Sequence, residues 1–524
     1  SQHSILASKL KCCDDPLKPP DRAATDRQKT AKRLPPLVQH PLARSPPSSP
    51  SPTRIRVDPS ALRVHSPRAS FRGICMDGSG EAASTEDWEP FGRPLFDDPS
   101  ARALSRVGVV DVGSNSVRMV VFDGAARSPA YFFNEKVMAG LGAGMADTGK
   151  LNPEGKTRAM SALKRFQLLA KTMGIAPLTA VATAAVREAE DGPAVREDVL
   201  RETGLRLFVV DGEEEARLSA QGVLLGWPGA YGLVCDIGGS SMELAELYDG
   251  RVGKRVSSKL GPQRLKTVPG GKKGLKKHLR TEVEKLADYM GPQPDRLFLV
   301  GGSWRAIARI DILRRGYPLA VLHEYRMSRK DVRETIAFIQ KSDIEELRLK
   351  TGLGLSRIDL VPLASQVLKQ LVRTFKPHDI AVSSYGIREG MLYEQMPQGL
   401  RDRDPLIEAC RFAESKDARM PGFGKRLFEF VQPLFTARNA PPKRLIKATC
   451  LLHDVGWRAH PDYRHEVCFD NATRANLAGL THEERVFLGV ALLHRYKNSR
   501  AGSRFEPMFG ILGDEMLQEA EVVG

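Results

Sequence analysis

The chain has 524 residues, 41% of them apolar and 27% charged, which is the composition of a soluble globular protein with about three to four domains. No stretch reaches about 18 uninterrupted apolar residues, so the sequence argues against a membrane span. The net charge of +16 is concentrated in residues 1–75, which carry +9 and leave +7 for the other 449 residues, so it is no sign of nucleic-acid binding by the globular part.

The first 105 residues are predicted to be a disordered basic extension and linker. They are rich in Pro, Ser and Arg, as in Arg44–Arg56, and lack both a hydrophobic period and the arrangement of a secretory signal. Because Met76 is the first methionine, residues 1–75 are expected to be an upstream extension, with the native start at Met76. A basic tail that binds nucleic acid is the alternative.

Residues 106–230 follow a β-β-α-β-α pattern and are predicted to form a first α/β domain. A helix is expected near Pro153–Met173, and another begins at Glu213 with three acidic residues in its first turn, where the helix dipole favours them. The predicted strands are Val107–Asp111, Val117–Phe122, Thr179–Thr183 and Arg206–Val210.

Residues 231–404 restart the strand–loop–strand pattern and are predicted to form a second α/β domain. Further strands are expected at Arg296–Val300 and Asp379–Ser383. The predicted helices are Ser328–Gln340, Leu360–Phe375 and Glu389–Gln395. Residues 405–524 show a helical pattern with no convincing strand, which predicts an all-helical third domain.

Two short segments 125 residues apart have the same design: D-V-G-S-N-S at Asp111–Ser116 and D-I-G-G-S-S at Asp236–Ser241. Each follows an apolar strand, and small residues let backbone N–H groups approach a phosphate. The predicted phosphate-binding residues are Gly113, Ser114, Asn115, Ser116, Gly238, Gly239, Ser240 and Ser241. The pair of loops predicts two homologous halves that grip one polyphosphate between them.

Acidic and basic residues near these loops are candidates for the chemistry. Asp111, Asp236 and Glu243 offer the hard oxygen ligands that Mg²⁺ prefers, directly or through water. The run G-E-E-E-A-R at Gly212–Arg217 offers a carboxylate to activate water, although spacing does not select one of its three Glu residues. Arg187, just after a predicted strand, is a candidate for neutralising charge on the transferred phosphoryl group.

Two further sequence features bear on ligands and compartment. The segment L-L-H-D-V-G at Leu451–Gly456 is similar to the His-Asp pair of metal-dependent phosphohydrolases, but no His precedes it in the third domain, so its metal shell is incomplete. Its histidines are therefore expected to be structural. The seven cysteines show no C-x-x-C pair and no disulfide-like spacing, which predicts buried free thiols in a reducing cytoplasm.

These motifs, in this order, resemble the exopolyphosphatase/guanosine pentaphosphate phosphohydrolase (Ppx/GppA) family of the actin-like ATPase superfamily, from about Arg106 to the C-terminus. The resemblance rests on Asp111–Met119, Asp211–Leu218 and Ser383–Leu392. It implies two actin-like (ribonuclease H-like) domains followed by an all-α HD-like domain, and a homodimer.

The resemblance also implies roles for single residues. The family's catalytic carboxylate immediately precedes an Ala-Arg pair, which selects Glu215. Arg187, Asp236 and Glu243 are implied to surround the phosphates and Mg²⁺. The second loop departs from the family pattern D-x-G-G-G-S-T-E at Ser240 and Met242, which removes a hydroxyl donor.

The expected activity is Mg²⁺-dependent hydrolysis of inorganic polyphosphate, which releases its terminal orthophosphate while Glu215 activates an in-line water. One alternative is removal of the 5′-terminal phosphate of guanosine pentaphosphate, the stringent-response nucleotide. Alternatives of another class are an ATP-binding kinase or chaperone-like ATPase, and a non-catalytic polyphosphate sensor. The segment G-G-S-W-R at Gly301–Arg305 resembles the superfamily's nucleotide-binding motif, and the bulk of Trp304 is expected to disfavour an adenine pocket.

Overall fold

The computed structural model describes residues 106–123, 127–128, 130–175, 178–435 and 441–524. The predictions made for residues 1–105, including the start at Met76, lie outside the described residues.

The first α/β domain is built on a five-stranded sheet with the strand order β3-β2-β1-β4-β5. Strand β2 is antiparallel to its neighbours β1 and β3, whereas β4 and β5 run parallel to β1. The central strands are almost entirely buried, as their continuous apolar runs predict. The strands are β1 Val107–Val112, β2 Val117–Asp123, β3 Ala130–Val137, β4 Leu178–Ala182 and β5 Leu207–Val209.

The second α/β domain repeats this topology. Its sheet has the order β10-β11-β9-β6-β7-β8, in which β6, β7 and β8 are antiparallel and β9 and β11 run parallel to β6. The short β10 is added antiparallel at the far edge. The strands are β6 Gly232–Ile237, β7 Met242–Tyr248, β8 Arg251–Ser258, β9 Arg296–Val300, β10 Tyr325–Met327 and β11 Asp379–Val382. The order β3-β2-β1-β4-β5 of the first sheet thus recurs as β8-β7-β6-β9-β11.

Helices pack against both sheets. Those of the first domain are α1 Met145–Thr148, α2 Pro153–Thr172, α3 Ala184–Glu188, α4 Gly192–Thr203 and α5 Gly212–Gly226. Those of the second are α6 Pro262–Leu265, α7 Gly271–Met290, α8 Gly302–Arg315, α9 Arg329–Lys341, α10 Ile344–Thr351, α11 Leu355–Ile358, α12 Val361–Phe375, α13 Ile387–Glu394 and α14 Gln398–Arg401.

Helix α5 joins the two halves. The side chain of Asp211 caps its N-terminus by accepting a hydrogen bond from the backbone N–H of Glu214, at 2.7 Å. From Leu218 onward the helix is buried, and its apolar side chains share one core cluster with residues of both sheets, such as Val109 and Phe298. Because that core is continuous, the first turn of α5 is held firmly between the two domains.

The third domain is helical throughout the part from Pro405 that the structure describes. Its helices are α15 Pro405–Asp417, α16 Phe423–Val431, α17 Lys443–Leu452, α18 Arg464–Arg474, α19 His482–His494, α20 Glu506–Phe509 and α21 Asp514–Val523, with 3-10 turns at Gln432–Leu434 and Pro461–Tyr463. The predicted class, two α/β domains followed by a helical domain, is confirmed.

The described residues include four of the seven cysteines. Cys235, Cys410, Cys450 and Cys468 are buried and free of disulfides. Within the described ranges, no helix combines the length and apolar character needed to cross a membrane.

Candidate active site

The two predicted loops follow the carboxyl ends of equivalent strands, β1 and β6, and face one cleft. The cleft encloses about 190 Å³ between the α/β domains. It is lined by most of the predicted site residues, namely Asp111, Gly113, Ser114, Asn115, Ser116, Glu215, Asp236, Gly238, Gly239 and Ser241.

Both loops are closed by the same backbone hydrogen bond. The N–H of Gly113 donates to the carbonyl of Ser116, and the N–H of Gly238 donates to the carbonyl of Ser241, each at 3.0 Å. The glycine N–H groups are therefore occupied. The N–H groups of the two residues at each loop tip make no hydrogen bond within the described chain and remain available to an anion; these are Ser114, Asn115, Gly239 and Ser240.

The loop tips meet across the cleft. The hydroxyl oxygens of Ser114 and Ser240 lie 3.3 Å apart, although 126 positions separate them in the chain. Ser240, which departs from the family pattern, therefore faces the first loop. Met242 is fully buried in β7. The two halves approach each other most closely where phosphate binding is predicted.

Helix α5 brings one of the three adjacent Glu residues to the cleft. Glu213 is exposed, and Glu214 forms an ion pair with Arg217, its oxygens lying 2.7 and 2.8 Å from the guanidinium. Glu215 lines the cleft. One turn later, the Ser219 hydroxyl donates a short hydrogen bond to Asp236. The structure thus places at the cleft the carboxylate that the family resemblance selects.

Arg187 and Glu243 stand behind the cleft wall. Arg187 donates to the carbonyl of Val210 at 2.7 Å and lies 3.4 Å from Glu215. Glu243 is almost fully buried: one of its oxygens accepts from Ser257 at 2.9 Å, and the other has no hydrogen-bond partner in the described chain. Neither residue lines the cleft itself.

The electrostatics of the carboxylates follow from their burial. Burial raises the pKa of Glu215 well above its usual value, the negative charges of Glu243 and Asp236 raise it further, and Arg187 opposes them. Burial likewise raises the pKa of Asp111 and Asp236. Such a cluster carries its full negative charge most readily when a cation binds.

The cleft also has a strongly positive wall. Arg305 donates to the carbonyl of Ser384 at 3.2 Å, and Arg388 lies 3.5 Å from Asp111. Lys136 and Arg357 also line the cleft, and their side chains make no hydrogen bond or ion pair with any described residue. Burial and the neighbouring Arg357 and Arg118 lower the pKa of Lys136 to about 8. Four crowded cations, two of them unpaired, form a site for an anion.

Sequence reasoning missed parts of this wall. Arg305 and Arg388 fall inside segments that the family resemblance already marked, G-G-S-W-R and S-S-Y-G-I-R-E-G. Lys136 lies directly opposite Arg118 in the pairing of β3 with β2, but β3 itself was not predicted. Arg357 comes from the short helix α11, and no local signal marks it.

Trp304 was expected to disfavour an adenine pocket by its bulk, but its side chain does not reach the cleft. Its indole is fully buried and donates to the carbonyl of Cys235 at 3.1 Å, so it points into the core of the second domain. The group that covers the glycine motif is the guanidinium of Arg357, since a Cβ placed on Gly302 would lie 1.7 Å from it. At the Gly301–Arg305 segment, the group next to the cleft is therefore the Arg357 guanidinium and not the Trp304 ring.

The His-Asp pair of the third domain is held by protein groups. Arg419 binds Asp454 through both its guanidinium and its backbone N–H, and His453 Nδ1 lies 2.8 Å from the carbonyl of Cys450. Across the described residues, no group of three or more His, Cys, Asp or Glu side chains could hold a metal ion by itself.

Comparisons with known proteins agree with this geometry. The "Ppx/GppA phosphatase family" model matches residues 120–399, and the "Exopolyphosphatase, C-terminal" model matches residues 417–524. Exopolyphosphatase 1 of Mycobacterium tuberculosis is 27% identical over 324 residues, covering 58% of this chain and 92% of the relative. Its Mycobacterium leprae counterpart is 27% identical over 311 residues, covering 56% of this chain and 89% of the relative.

A solved structure shows the same fold. The exopolyphosphatase of Cytophaga hutchinsonii aligns with a TM-score of 0.50 and 24% sequence identity, covering 55% of this chain and 97% of that protein. The first family model spans more than half of the 524 residues and includes Glu215, the second loop and the segment that carries Arg388. The chain therefore belongs to the Ppx/GppA phosphatase family.

Proposed function

We propose that the protein is an exopolyphosphatase, which hydrolyses the terminal phosphoanhydride bond of inorganic polyphosphate and releases orthophosphate. The observation that carries this proposal is the meeting of two equivalent loops beside a wall of four cations, two of which have no partner in the described chain. Free loop N–H groups and crowded guanidinium groups suit a linear polyanion. The exopolyphosphatases among the relatives of this chain support the same substrate class.

In the proposed reaction, a water molecule attacks the terminal phosphorus in line with the bridging oxygen. Glu215 accepts the proton of that water, the bond from phosphorus to the bridging oxygen breaks, and orthophosphate leaves a chain one unit shorter. Arg187 orients Glu215 through the contact at 3.4 Å. The loop N–H groups and Arg388 hold the phosphate oxygens on which negative charge accumulates.

Mg²⁺ is the proposed cofactor. In phosphate sites Mg²⁺ is commonly held by one or two carboxylates together with waters and substrate oxygens, so a complete protein cage is not required. Asp111 and Asp236 line the cleft and fit this role, and the buried, unpartnered oxygen of Glu243 fits a ligand or a partner of a bound water. When bound, the ion would neutralise phosphate charge and polarise the scissile bond.

The environment and assembly follow from the same proposal. Four buried free thiols agree with a reducing cytoplasm, which is where we place the protein. A homodimer is the assembly that the family resemblance implies.

Arg357, which covers Gly302, disfavours a nucleoside at that position and so favours polyphosphate over ATP.

The decisive experiment is Glu215→Gln, with orthophosphate release from polyphosphate measured in the presence of Mg²⁺. Loss of the general base is expected to lower kcat by about a hundredfold or more. Glu213→Gln is the matched control, because Glu213 is an exposed carboxylate on the same turn of α5. Near-normal activity of Glu215→Gln, with an unchanged melting temperature, would contradict the mechanism.

The substrate is tested with the same protein preparations. Polyphosphate, guanosine pentaphosphate and ATP are compared by kcat/KM, and polyphosphate is expected to give the highest value. A higher kcat/KM for guanosine pentaphosphate would replace the proposed substrate by the nucleotide. Nucleotide hydrolysis that is confined to ATP would point to the kinase or chaperone-like class.

A further inference from the structure

A second and larger cavity lies away from the cleft, where three parts of the chain meet. It encloses about 750 Å³. Its walls come from the end of α5 and the segment after it, from the second sheet, and from the third domain with Asp402–Asp404 just before it. The residues of its walls that matter here are Trp227, Tyr231, Asp295, Phe298, Glu324 and Arg403.

The guanidinium groups of this cavity are already paired. Arg296 contacts Asp379 at 2.8 Å, and Arg326 binds Glu324. In the third domain, Arg444 contacts Asp404 at 3.0 Å and Glu484 at 2.9 Å. Arg403, at the rim, lies 3.3 Å from Glu408. A polyphosphate group would find few available cations here, in contrast to the catalytic cleft.

Hydrogen-bond acceptors, in contrast, are available. The side chain of Glu324 is 1% exposed, and its Oε2 has no hydrogen-bond partner among the described residues. The indole of Trp227 lies near this carboxyl without reaching hydrogen-bond geometry. The carboxylate of Asp295 is exposed and makes no ion pair or hydrogen bond with the described part of the chain. A buried acceptor without a donor is costly, and a ligand with N–H groups would satisfy it.

Aromatic side chains supply the rest of the wall. Trp227 is partly exposed, Tyr231 is 53% exposed, and Phe298 lies behind Trp227 with ring centroids 5.2 Å apart. Aromatic surfaces of this kind stack on planar heterocycles, largely independently of their substituents. A volume of about 750 Å³ falls in the range of small-molecule sites.

We propose that this junction cavity is a second ligand site, which binds a purine nucleoside. The base stacks on Trp227 and Tyr231, and its amino group, together with the ring N1–H in guanosine, donates to the carboxylates of Glu324 and Asp295. The pairing of the cavity's arginines favours an uncharged nucleoside over a nucleotide polyphosphate. The ligand class follows from planar walls combined with unpaired acceptors.

The cavity is connected to the catalytic cleft by packed side chains. Trp227 caps the C-terminus of α5, the helix whose first turn carries Glu215, roughly 18 Å away along the axis. The Trp227 ring packs on His323 with centroids 4.4 Å apart, and His323 packs on Tyr385 at 4.6 Å. Ser384 and Gly386, the neighbours of Tyr385, line the cleft. A ligand packed against Trp227 would therefore be connected, through packed side chains, to the helix that positions Glu215 on one side of the cleft and to Ser384 and Gly386 on the other. It is expected to change the rate of the catalytic reaction, and this expectation rests on the proposed function.

Binding is tested on the full chain by tryptophan fluorescence, without any substrate. Guanosine and adenosine are titrated, and saturable quenching is expected because a base would stack on Trp227. Trp227→Phe should abolish the response, since Trp304 is buried in the second domain and Trp457 does not line the cavity. Tyr231→Ala should weaken binding about tenfold or more. Tyr248→Ala, an exposed tyrosine of β7 outside the cavity, should not.

The base's N–H groups are tested with purine riboside, which lacks the amino group and should bind more weakly than adenosine. The site is overturned if neither nucleoside gives saturable quenching at millimolar concentration. It is equally overturned if Trp227→Phe or Tyr231→Ala responds like the wild type, or if purine riboside binds as well as adenosine.

The regulatory consequence is measured separately. Saturating nucleoside is expected to change kcat for orthophosphate release about twofold or more, and the change should disappear in Tyr231→Ala. Quenching without any change in kcat would overturn the coupling. A chain that releases no orthophosphate would overturn the proposed function, whereas the fluorescence titration would still decide the cavity.

Discussion

Lys136 shows how a single residue can give the cleft a pH dependence. Its ammonium group lies opposite Arg118 on the neighbouring strand and lines the cleft together with Arg305, Arg357 and Arg388. Burial and the repulsion of these guanidinium groups lower its pKa from 10.5 to about 8. The group is therefore charged below pH 8 and loses its charge as the pH rises through that value.

We expect kcat/KM for polyphosphate to fall as the pH rises from 7 to 9.5, because the free enzyme loses one phosphate-binding charge. The loss should be about tenfold, as for one charge-assisted hydrogen bond. Lys136→Met should show a low kcat/KM without this alkaline step. Lys136→Arg, which stays charged in this range, should keep a high value throughout. A parallel alkaline decline in the wild type and Lys136→Met would assign the step to another group.

The residues that sequence reasoning located were those with a local signature. Both loop motifs, with Asp111 and Asp236, lie on the cleft because an acidic residue at the end of a buried strand, followed by small residues, forms the same turn in both halves. Glu215 was selected among three adjacent carboxylates by the family resemblance. Lys136 and Arg357 carry no such signature. They reach the cleft through the folding of β3 and α11, so only the three-dimensional structure identifies them.

Helices α5 and α13 cross so closely that glycine is required at their contact. A Cβ placed on Gly390 would lie 1.8 Å from the carbonyl oxygen of Leu218, and one on Gly222 would lie 2.2 Å from that of Gly386. These helices carry Glu215 and Arg388, so their spacing sets the geometry of the cleft. The helix crossing therefore contributes to core packing and also fixes the positions of Glu215 and Arg388 at the cleft.

Gly390→Ala is expected to force α13 away from α5. Overpacking of this kind costs about 1–3 kcal/mol, so the melting temperature and kcat should both fall. Differential scanning calorimetry and orthophosphate release provide the measurements. Gly399→Ala is the matched control, since a Cβ there meets no atom within 4 Å, and helix propensity alone would stabilise it slightly. Equal behaviour of the two variants would show that the crossing tolerates a methyl group.

The strands that were not predicted from the sequence lie at sheet edges. β3, β8 and β10 were not predicted, and each ends a sheet. An edge strand is covered less completely than a central one, so it carries polar and charged residues, as in R-V-G-K-R-V-S-S of β8. The central strands were found because burial on both faces keeps them apolar. The helices whose bounds were predicted lie within one or two residues of the observed ones, because their apolar periodicity is strong. Helices α7 and α8 were not predicted, and the third domain was predicted only to be helical.

At the scale of the molecule, the duplicated topology explains why one cleft serves two domains. The two sheets present equivalent strand ends, β1 and β6, to the same space. Helix α5 and its shared core join the halves on one side, so a rotation of one half against the other would open or close the loop tips. Substrate held between the loops should therefore keep the tips apart.

This arrangement predicts that the loop tips can be cross-linked and that substrate prevents it. The hydroxyl oxygens of Ser114 and Ser240 are 3.3 Å apart, so the sulfur atoms of Ser114→Cys/Ser240→Cys need to approach by about 1 Å to reach the length of a disulfide. Mild oxidant is expected to form this disulfide and thereby to abolish orthophosphate release. A reductant should break the bond and restore the activity. Polyphosphate with Mg²⁺, added first, should slow the reaction, because the phosphates would lie between the two sulfur atoms. Peptide mapping under non-reducing conditions measures the bond, and each single variant shows what the loss of one hydroxyl does. If the bond forms equally fast with and without polyphosphate, the phosphate chain does not pass between the two loops.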